Sequence, residues 1–392
     1  MPPHTALDTV EDAVRRRGID LVELSHAIHA EPELAFDEHR SCAKAQALVA
    51  ERGFEITAPA GGLDTAFRAD FGSGPLVVGV CAEYDALPEI GHACGHNIIA
   101  ASAVGTALAL AEVADELGLT VALLGTPAEE AGGGKELLLR AGTFDDVAVA
   151  VMVHPGPTDV AAGHSLALSE AVVRYRGKES HAAVAPYQGI NAADAVTVAQ
   201  VAVGLLRQQL APGQLVHGIV TDGGQAVNVI PGRAALEYAM RALESDSLRE
   251  LEGRMFACFA AGALAAGCEY EIEQPSPAYA ELKSDEWLSE VCRHEMGRLG
   301  RQPLAPQYEF PMGSTDMGNV TQVLPGIHPI IGVDAGGATV HQRDFAAAAA
   351  GPSADRAVVD GAIMLARAVV QLAQTPEQRD RVLQALERRA GA

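Results

Sequence analysis

The stretch Gly91-His92-Ala93-Cys94-Gly95-His96-Asn97 carries soft and borderline metal ligands directly before a long apolar segment, residues 98–113. Cys94 and His96 stand two residues apart, so both can turn toward one centre where the chain is extended or tightly turned. A thiolate and an imidazole at this spacing suit a divalent transition ion. Taken alone, the pair has a plainer explanation, because buried cysteines are common and a histidine near a helix start often caps that helix.

Three further segments support the metal interpretation. Glu129-Glu130 follow an apolar strand predicted at 121–124, His154 follows one at 147–153, and His341 lies in the segment 340–345. A strand at 76–81 likewise leads into Glu83 and Asp85. Chemistry at the carboxyl ends of successive strands is typical of an open α/β sheet. An α/β scaffold with unrelated polar ends would not repeat the pattern at three strands, so we infer a metal-dependent hydrolase.

Composition limits the classes of partner. The 392 residues exceed what one core usually supports, and 48% hydrophobic content excludes disorder. A net charge of −23, from 28 basic and 51 acidic residues, argues against nucleic acid and anionic membranes. The N-terminal segment contains no apolar run with a basic flank, so we expect no secretory signal. We interpret residues 98–113 as a buried helix. Six cysteines without pairing spacing indicate a reduced, cytoplasmic protein.

The predicted pattern of secondary structure changes near residue 166. From there the pattern predicts strand, helix, strand, strand, helix and strand, which is the ferredoxin-like order, and no metal-ligand motif falls within it. After residue 277 the chain returns to alternating helix and strand. We therefore expect a catalytic open-sheet α/β domain from residues 1–165 and 278–392, with an inserted ferredoxin-like α+β lid or dimerisation domain at 166–277.

Seven motifs in order resemble one group, the amidohydrolase branch of the two-metal aminoacylase and carboxypeptidase superfamily, whose catalytic domain is zinc-peptidase-like. This branch includes hippurate hydrolases and hydrolases of auxin–amino acid conjugates. The Glu-Tyr-Asp-Ala-Leu-Pro form, with His-Asn after the glycine, most resembles the p-aminobenzoyl-glutamate hydrolase and β-alanyl-dipeptidase members. The resemblance runs from about residue 21 to about residue 369. The motifs are Glu83-Tyr84-Asp85-Ala86-Leu87-Pro88, His92-Ala93-Cys94-Gly95-His96, Glu129-Glu130, His154-Pro155, Gly177-Lys178-Glu179-Ser180-His181-Ala182-Ala183, Asn228-Val229-Ile230-Pro231 and Gly313-Ser314-Thr315-Asp316.

The resemblance implies roles for the metal-site residues. It implies that Glu129 is the general base, taking a proton from a metal-bound water and passing it to the leaving amine. It also implies two divalent ions, zinc or manganese with cobalt also allowed. Asp85 is expected to hold a ligand imidazole in one tautomer. Glu83 stands where other branches carry a ligand histidine, so we leave it out of the set, and His92 receives no role. The implied ligands are Cys94, His96, Glu130, His154 and His341.

Residues of the inserted block are expected to serve substrate. In the resembled superfamily a histidine at the position of His181 reaches the partner subunit's site and stabilises the oxyanion, a second catalytic role beside that of Glu129. Asn228 and Arg241 are candidates for holding a substrate carboxylate or amide, although a surface salt bridge is the commoner fate of an arginine. We therefore expect a homodimer built through the inserted domain.

Three functions from different classes are compatible with these residues. The leading hypothesis is a metallo-amidohydrolase or metallopeptidase that cleaves the amide of an N-acyl amino acid or small dipeptide by attack of a metal-bound hydroxide. The second is a catalytically silent member that acts as a binding or regulatory partner. The third is a thiol enzyme with Cys94 as nucleophile, which leaves the acid pair, His154 and His341 unexplained.

Overall fold

The computed structural model describes residues 5–309 and 313–391 and divides into two compact units. Unit 1 comprises Met1–His164 and Leu282–Ala392, and unit 2 comprises Ser165–Glu281. The helices are α1 (Ala6–Arg16), α2 (Gly18–His29), α3 (His39–Ala50), α4 (His96–Ala111), α5 (Ala114–Leu117), α6 (Gly134–Arg140), α7 (Ala192–Leu206), α8 (Ser245–Ala266), α9 (Glu286–Arg298), α10 (Met317–Val323), α11 (Arg343–Ala348), α12 (Pro352–Gln374) and α13 (Pro376–Ala390). Short 3₁₀ turns cover Pro186–Gln188, Arg207–Gln209 and Pro306–Tyr308.

The strands form two main sheets and two small ones. They are β1 (Glu55–Thr57), β2 (Phe67–Gly72), β3 (Leu76–Ala82), β4 (Leu119–Gly125), β5 (Val149–Val151), β6 (His154–Gly156), β7 (Ala167–Arg176), β8 (Ser180–His181), β9 (Leu215–Asp222), β10 (Val229–Ile230), β11 (Arg233–Ala242), β12 (Glu269–Glu273), β13 (Gly326–Ile327) and β14 (Ile330–Gly332).

Unit 1 is built on a six-stranded mixed sheet in the order β1-β2-β4-β3-β5-β13. The four strands β4, β3, β5 and β13 are parallel, whereas β2 joins β4 antiparallel at one side. Alternate residues of β3 and β4 enter two different core clusters: Val80 and Leu123 join one, Cys81 and Leu124 the other. Both faces of the sheet are therefore buried, which explains why these strands appear in the sequence as continuous apolar runs. The predicted open α/β fold is confirmed.

Helices α4 and α12 form the centre of the larger core cluster. They pack against each other, and α4 also lies on β3 and β4. By length and composition alone, α12 is the one helix in the described ranges that could cross a bilayer, but 83% of its most apolar window is buried. Such burial is typical of the core helix of a folded domain.

The strand predicted at 147–153 is shorter than the sequence indicates. Its residues 149–151 form β5 in the six-stranded sheet, while His154 already belongs to β6, which pairs in parallel with β14 in a separate two-stranded sheet. Residues 147–153 are all buried, so the apolar run continues across the change of sheet and hides it.

Unit 2 has one four-stranded antiparallel sheet in the order β12-β7-β11-β9. Helices α7 and α8 pack on each other and on β7 and β11, around a core of their own that includes Tyr175 and Phe259. The chain order of strand, helix, two strands, helix and strand is ferredoxin-like. The short strands β8 and β10 pair beside it and bring Val229 opposite His181.

Candidate metal centre

The candidate metal centre is assembled from loops that follow the parallel strands of unit 1. Ala82 at the end of β3 pairs with Gly125 at the end of β4, so the two strands finish side by side. Asp85 lies just beyond β3, and the acid pair Glu129-Glu130 lies just beyond β4. The carboxyl ends of parallel strands thus bring these acids together, as expected for an open α/β sheet.

A left-handed glycine turns Cys94 and His96 toward one point. Gly95 precedes the first residue of α4 with φ +77°, a conformation that side chains other than glycine rarely adopt. A Cβ placed on Gly95 would also lie 2.6 Å from Cγ of Pro155. The turn therefore requires glycine for both its dihedral angle and its space, and it explains how two expected ligands, two residues apart, reach one point.

The five expected ligands come together in two groups that share Cys94. One group is Cys94, His96 and His154, and the other is Cys94, Glu130 and His341; within each group the donor atoms lie within 4.8 Å of one another. Cys94 Sγ is 3.4 Å from His154 Nε2, and His341 Nε2 is 3.3 Å from Glu130 Oε1. Two overlapping groups that share a thiol are the arrangement expected for two neighbouring ions.

Hydrogen bonds fix the tautomers of two of these histidines. His154 Nδ1 lies 2.6 Å from the carbonyl oxygen of Pro155, which can only accept, so Nδ1 carries the proton and Nε2 presents its lone pair to Cys94. His96 Nδ1 is 2.9 Å from Asp85 Oδ1, which leaves Nε2 of His96 turned inward. The other oxygen of Asp85 accepts the backbone N–H of Glu130 at 2.9 Å. Asp85 thus orients the ring of one expected ligand, His96, and the loop of another, Glu130.

Several buried acceptor atoms point at the space between these residues. Nε2 of His96, Oε1 of Glu130 and Oε2 of Glu83 make no hydrogen bond within the described residues. His96 Nε2 is 3.5 Å from Glu83 Oε2 and 3.8 Å from Glu130 Oε1, so these polar atoms converge on one point. Buried acceptors without donors are costly, and a cation at this position would satisfy them. The residues therefore fit divalent ions.

Glu129 lies at the same place and is buried. Its Oε2 is 3.8 Å from His96 Nε2, and it forms a third donor group with Glu83 and His96. Burial, followed by the nearby carboxylates of Glu83 and Glu130, raises the pKa of Glu129 well above 4.5. A carboxylate with a raised pKa beside the ligands is suited to carry a proton during hydrolysis.

The electrostatics of Cys94 argue against a thiol nucleophile without metal. Burial and the neighbouring Glu130 raise the pKa of the Cys94 thiol well above 9.0, while burial and His96 lower the pKa of His154 to about 4. The raised thiol pKa keeps Cys94 protonated, whereas a thiol nucleophile needs the thiolate.

A buried ion-pair cluster next to the centre was missed by the sequence analysis. Lys135 is 0% exposed; its Nζ binds Glu83 Oε1 and lies 2.7 Å from Asp316 Oδ1, and its backbone N–H donates to Asp316 Oδ2. Glu83, left out of the ligand set, thus gives one oxygen to Lys135 and turns the other toward His96. A lone lysine in the first turn of α6 has no sequence signal that distinguishes it from a surface residue.

His328 is a second residue that the sequence analysis did not single out. It is buried in the connection from β13 to β14, with its ring centroid 5.4 Å from that of His154. Burial and the neighbouring His154 lower the pKa of His328 well below 6.5, so it packs as a neutral ring.

The substrate residues expected from the inserted block all lie in unit 2. The pairing of β8 with β10 brings His181 and Asn228 close, and the carbonyl of Asn228 accepts the N–H of Ala182 at 2.9 Å. His181 is exposed, and its Nδ1 accepts the N–H groups of Ala183 and Val184, so the proton of the neutral ring is on Nε2. Arg241 lies apart from this pair, on β11, where it is half-buried opposite Leu168 and Leu215.

Comparison with known proteins places this chain among dipeptidases, amidohydrolases and related metal-binding peptidases. Xaa-Arg dipeptidase from Mus musculus is 40% identical over 353 residues, covering 84% of this chain and 80% of that protein. One of the subunits of p-aminobenzoyl-glutamate hydrolase from Escherichia coli is 32% identical over 270 residues, covering 63% of this chain and 56% of that protein. A crystal structure of a dinuclear metal-binding peptidase of the M20 family from Bacillus subtilis shares the fold, with a TM-score of 0.66 at 22% identity, covering 91% of this chain and 99% of that one.

The family assignment rests on a sequence profile as well as on these relatives. The profile of peptidase family M20/M25/M40 matches residues 79–370, which include all five expected ligands and the Glu129-Glu130 pair. The resemblance inferred from the ordered motifs is confirmed. This chain belongs to peptidase family M20/M25/M40 and is a metal-binding hydrolase.

Proposed function

We propose that this M20-family hydrolase cleaves small dipeptides that end in a basic residue, with two divalent ions and Glu129 as the group that moves the proton. The observation that carries the proposal is the pair of donor groups sharing Cys94, with the Glu129 carboxylate 3.8 Å from His96. A complete ligand set and a placed base argue against a catalytically silent member.

The chain's own residues would divide the work as follows. Cys94, His96, Glu130, His154 and His341 would hold the ions, which supply a lowered pKa for water and a Lewis acid for the amide carbonyl when bound. Glu129 would accept a proton from the attacking water and deliver it to the leaving amine. One thiolate, one carboxylate and three imidazoles suit zinc or manganese, with cobalt also accepted.

The name of the mouse relative, Xaa-Arg dipeptidase, supports the basic C-terminal residue, since its match spans most of both chains. The name of the Escherichia coli relative favours p-aminobenzoyl-glutamate as the second candidate. We would assay a panel of Xaa-Arg, Xaa-Lys and β-alanyl dipeptides, p-aminobenzoyl-glutamate and N-acyl amino acids, with zinc and with manganese. Preference for Xaa-Arg or Xaa-Lys by kcat/KM supports the proposal, and preference for the glutamate conjugate replaces it.

A chelation series tests the metal requirement. Activity should disappear after dialysis against a chelator and return with zinc or manganese, and elemental analysis should find two ions per chain. Full activity in metal-free protein would contradict the metal mechanism and favour the hypothesis of a thiol enzyme with Cys94 as nucleophile.

We further propose that the active unit is a homodimer built through unit 2, with His181 of one chain serving its partner's metal centre. The proton on Nε2 of His181 suits donation to a developing oxyanion. Edge strand β9 exposes Leu215, Ile219 and Val220, and such an apolar edge is a natural pairing surface. Asn228 beside His181 and, at a separate place on β11, Arg241 are the candidates for holding a substrate carboxylate or amide.

Mixed dimers test the role of His181. Glu129→Gln and His181→Ala chains should each be inactive, and exchange between them should restore activity, because one site in each mixed dimer receives both intact side chains. Random exchange makes about half of the dimers mixed, as two-fold symmetry requires. Verified exchange without recovery would refute the role in the partner's site.

We also propose a cytoplasmic location. The six cysteines, all of them within the described residues, are free thiols, and four of them are buried: Cys42, Cys81, Cys94 and Cys292. Retained thiols of this kind are usual in a reducing compartment. Cell fractionation with a tagged chain would test the location.

A further inference from the structure

Two chain segments far apart in the sequence meet directly behind the proposed base. Glu38 lies just before α3 and is completely buried. Its Oε1 accepts the backbone N–H of Ala128 at 2.8 Å, and its Oε2 accepts the hydroxyl of Thr65 at 2.8 Å. Ala128 is the residue immediately before Glu129. Taking the proposed function as given, we propose that Glu38 is a positioning residue that aims Glu129.

Glu38 is not used to cap its own helix. It occupies the N-cap position of α3, where a polar side chain commonly accepts the first free N–H groups. In this chain Glu33 takes that role, since its carboxylate accepts the N–H groups of Arg40 and Ser41 at 3.0 and 2.8 Å. The carboxylate of Glu38 therefore turns inward and binds the loop after β4 instead.

Ala128 has a backbone conformation that needs such support. Its φ is +60°, in the left-handed region where a side chain costs free energy and which persists only when neighbouring contacts enforce it. Glu38 accepts the N–H of Ala128, and the N–H of Gly133 donates to the carbonyl of Ala128 at 3.0 Å. Both peptide groups that flank the strained residue are therefore fixed.

The two segments also pack through a second contact. Gly132, with φ +131°, lies so close to Phe36 that an added Cβ would be 2.4 Å from Cε2 of the ring. The segment before α3 thus contacts the loop of the acid pair on both sides of Glu129-Glu130: Glu38 binds Ala128, and Phe36 packs on Gly132. The turn at Ala128 sends the Glu129 side chain toward His96, while the backbone N–H of Glu130 reaches Asp85. Both adjacent carboxylates come within 3.8 Å of His96 Nε2, so the course of this loop decides where the proposed base lies.

Removal of the acceptor should reduce turnover through Glu129. In Glu38→Ala the N–H of Ala128 loses its partner and the left-handed turn can relax. Because small displacements of a reacting group can cost on the order of 10²-fold in rate, we expect kcat to fall by about that factor while KM and metal content change little. Glu38→Gln keeps an acceptor oxygen for Ala128, and the Thr65 hydroxyl can reverse to accept from the new amide, so kcat should be largely restored.

A double-mutant cycle separates positioning from a general structural effect. If Glu38 acts through Glu129, Glu38→Ala should cost almost nothing further in a Glu129→Gln background. The exposed acid Asp37, the preceding residue, gives the matched control Asp37→Ala, which should leave kcat unchanged. If Glu38→Ala does not fold, Glu38→Ala with Ala128→Gly is used, because glycine accepts φ +60° without strain and should recover part of the turnover.

The outcomes distinguish this inference from the proposed function. Near-normal turnover in Glu129→Gln refutes the base assignment itself. A large loss in Glu129→Gln with normal kcat in Glu38→Ala, or additive losses in the double variant, overturns the positioning role. Loss of metal from Glu38→Ala, measured by elemental analysis, likewise overturns it, because the effect would then act through the ligands.

Discussion

Replacement of Lys135 by methionine tests the buried charge balance beside the metal centre. The lysine is fully buried and contacts two buried carboxylates, Glu83 and Asp316. Burial opposes a charge on Lys135, but Asp316 and Glu83 outweigh it and raise its pKa well above 10.5. Methionine has a similar length and no charge, so Lys135→Met removes the cation with little change in packing volume.

The expected loss can be worked from the contacts. Removing one partner of a buried ion pair typically costs about 3–5 kcal/mol, because the remaining charge is left without compensation. Two carboxylates lose a partner here, although Asp316 retains the backbone N–H of residue 135. We therefore expect the free energy of unfolding of chelated protein to fall by roughly 4–5 kcal/mol at pH 8.

The loss should depend on pH in a defined direction. Burial already raises the pKa of Asp316 to about 6, although Lys135 acts to lower it, and removal of Lys135 would raise it further. When the pKa of an acid is higher in the folded than in the unfolded chain, the acid lowers the free energy of unfolding more and more as pH rises from the unfolded to the folded pKa. The penalty of Lys135→Met should therefore be smaller at pH 5 than at pH 8.

The loss of unfolding free energy in Lys135→Met is measured by urea unfolding of chelated protein, followed by circular dichroism. Urea is uncharged, so it does not screen the ion pairs as a salt denaturant would. Lys44→Met is the matched control, since Lys44 pairs with Glu31 at 2.7 Å on the surface and should matter little. Addition of Glu83→Gln and Asp316→Asn to Lys135→Met should recover much of the stability. If Lys135→Met is no less stable than Lys44→Met at pH 8, the argument for an essential buried cation is wrong.

The remaining predictions concern the proposed base Glu129, the thiol of Cys94 and the buried acid Glu38. Glu129→Gln should lower kcat by on the order of 10²–10⁴ with unchanged metal content, and near-normal turnover would exclude Glu129 as the base. Cys94→Ser should reduce metal occupancy, because a hydroxyl is a poorer ligand than a thiolate, and bound metal should protect Cys94 from alkylation; equal alkylation of metal-loaded and chelated protein would remove it from the ligand set. Burial, and then repulsion from Asp85, raise the pKa of Glu38 from 4.5 to about 7, so this acid should lose about 3 kcal/mol of its contribution to stability as pH rises through that window. Glu38→Gln should therefore flatten the pH dependence of urea unfolding between pH 4.5 and 8, and an unchanged slope would contradict the assignment.

Features with a local signal were predictable from the sequence. The strands β3 and β4 appear as apolar runs bounded by acids, and their parallel pairing places the acids at one edge. The Cys94-Gly95-His96 spacing is explained by its glycine, which supplies the left-handed turn that points both side chains to one centre. The limits of elements were less predictable: the apolar run 147–153 continues past the end of β5 up to His154, where the next sheet begins, and uniform burial gives no sign of the break.

The sequence by itself determined the α/β fold, the order of the ligand motifs and the presence of an acid pair after the second parallel strand, because periodicity and close spacing are local properties. Only the tertiary structure decided that Cys94 belongs to both donor groups, that Lys135 is buried between Glu83 and Asp316, and that Glu38 supports Ala128. The physical reason is distance along the chain. The partners of Lys135 lie 52 and 181 residues away and that of Glu38 lies 90 residues away, so whether each charge is solvated or buried is fixed only when the elements pack.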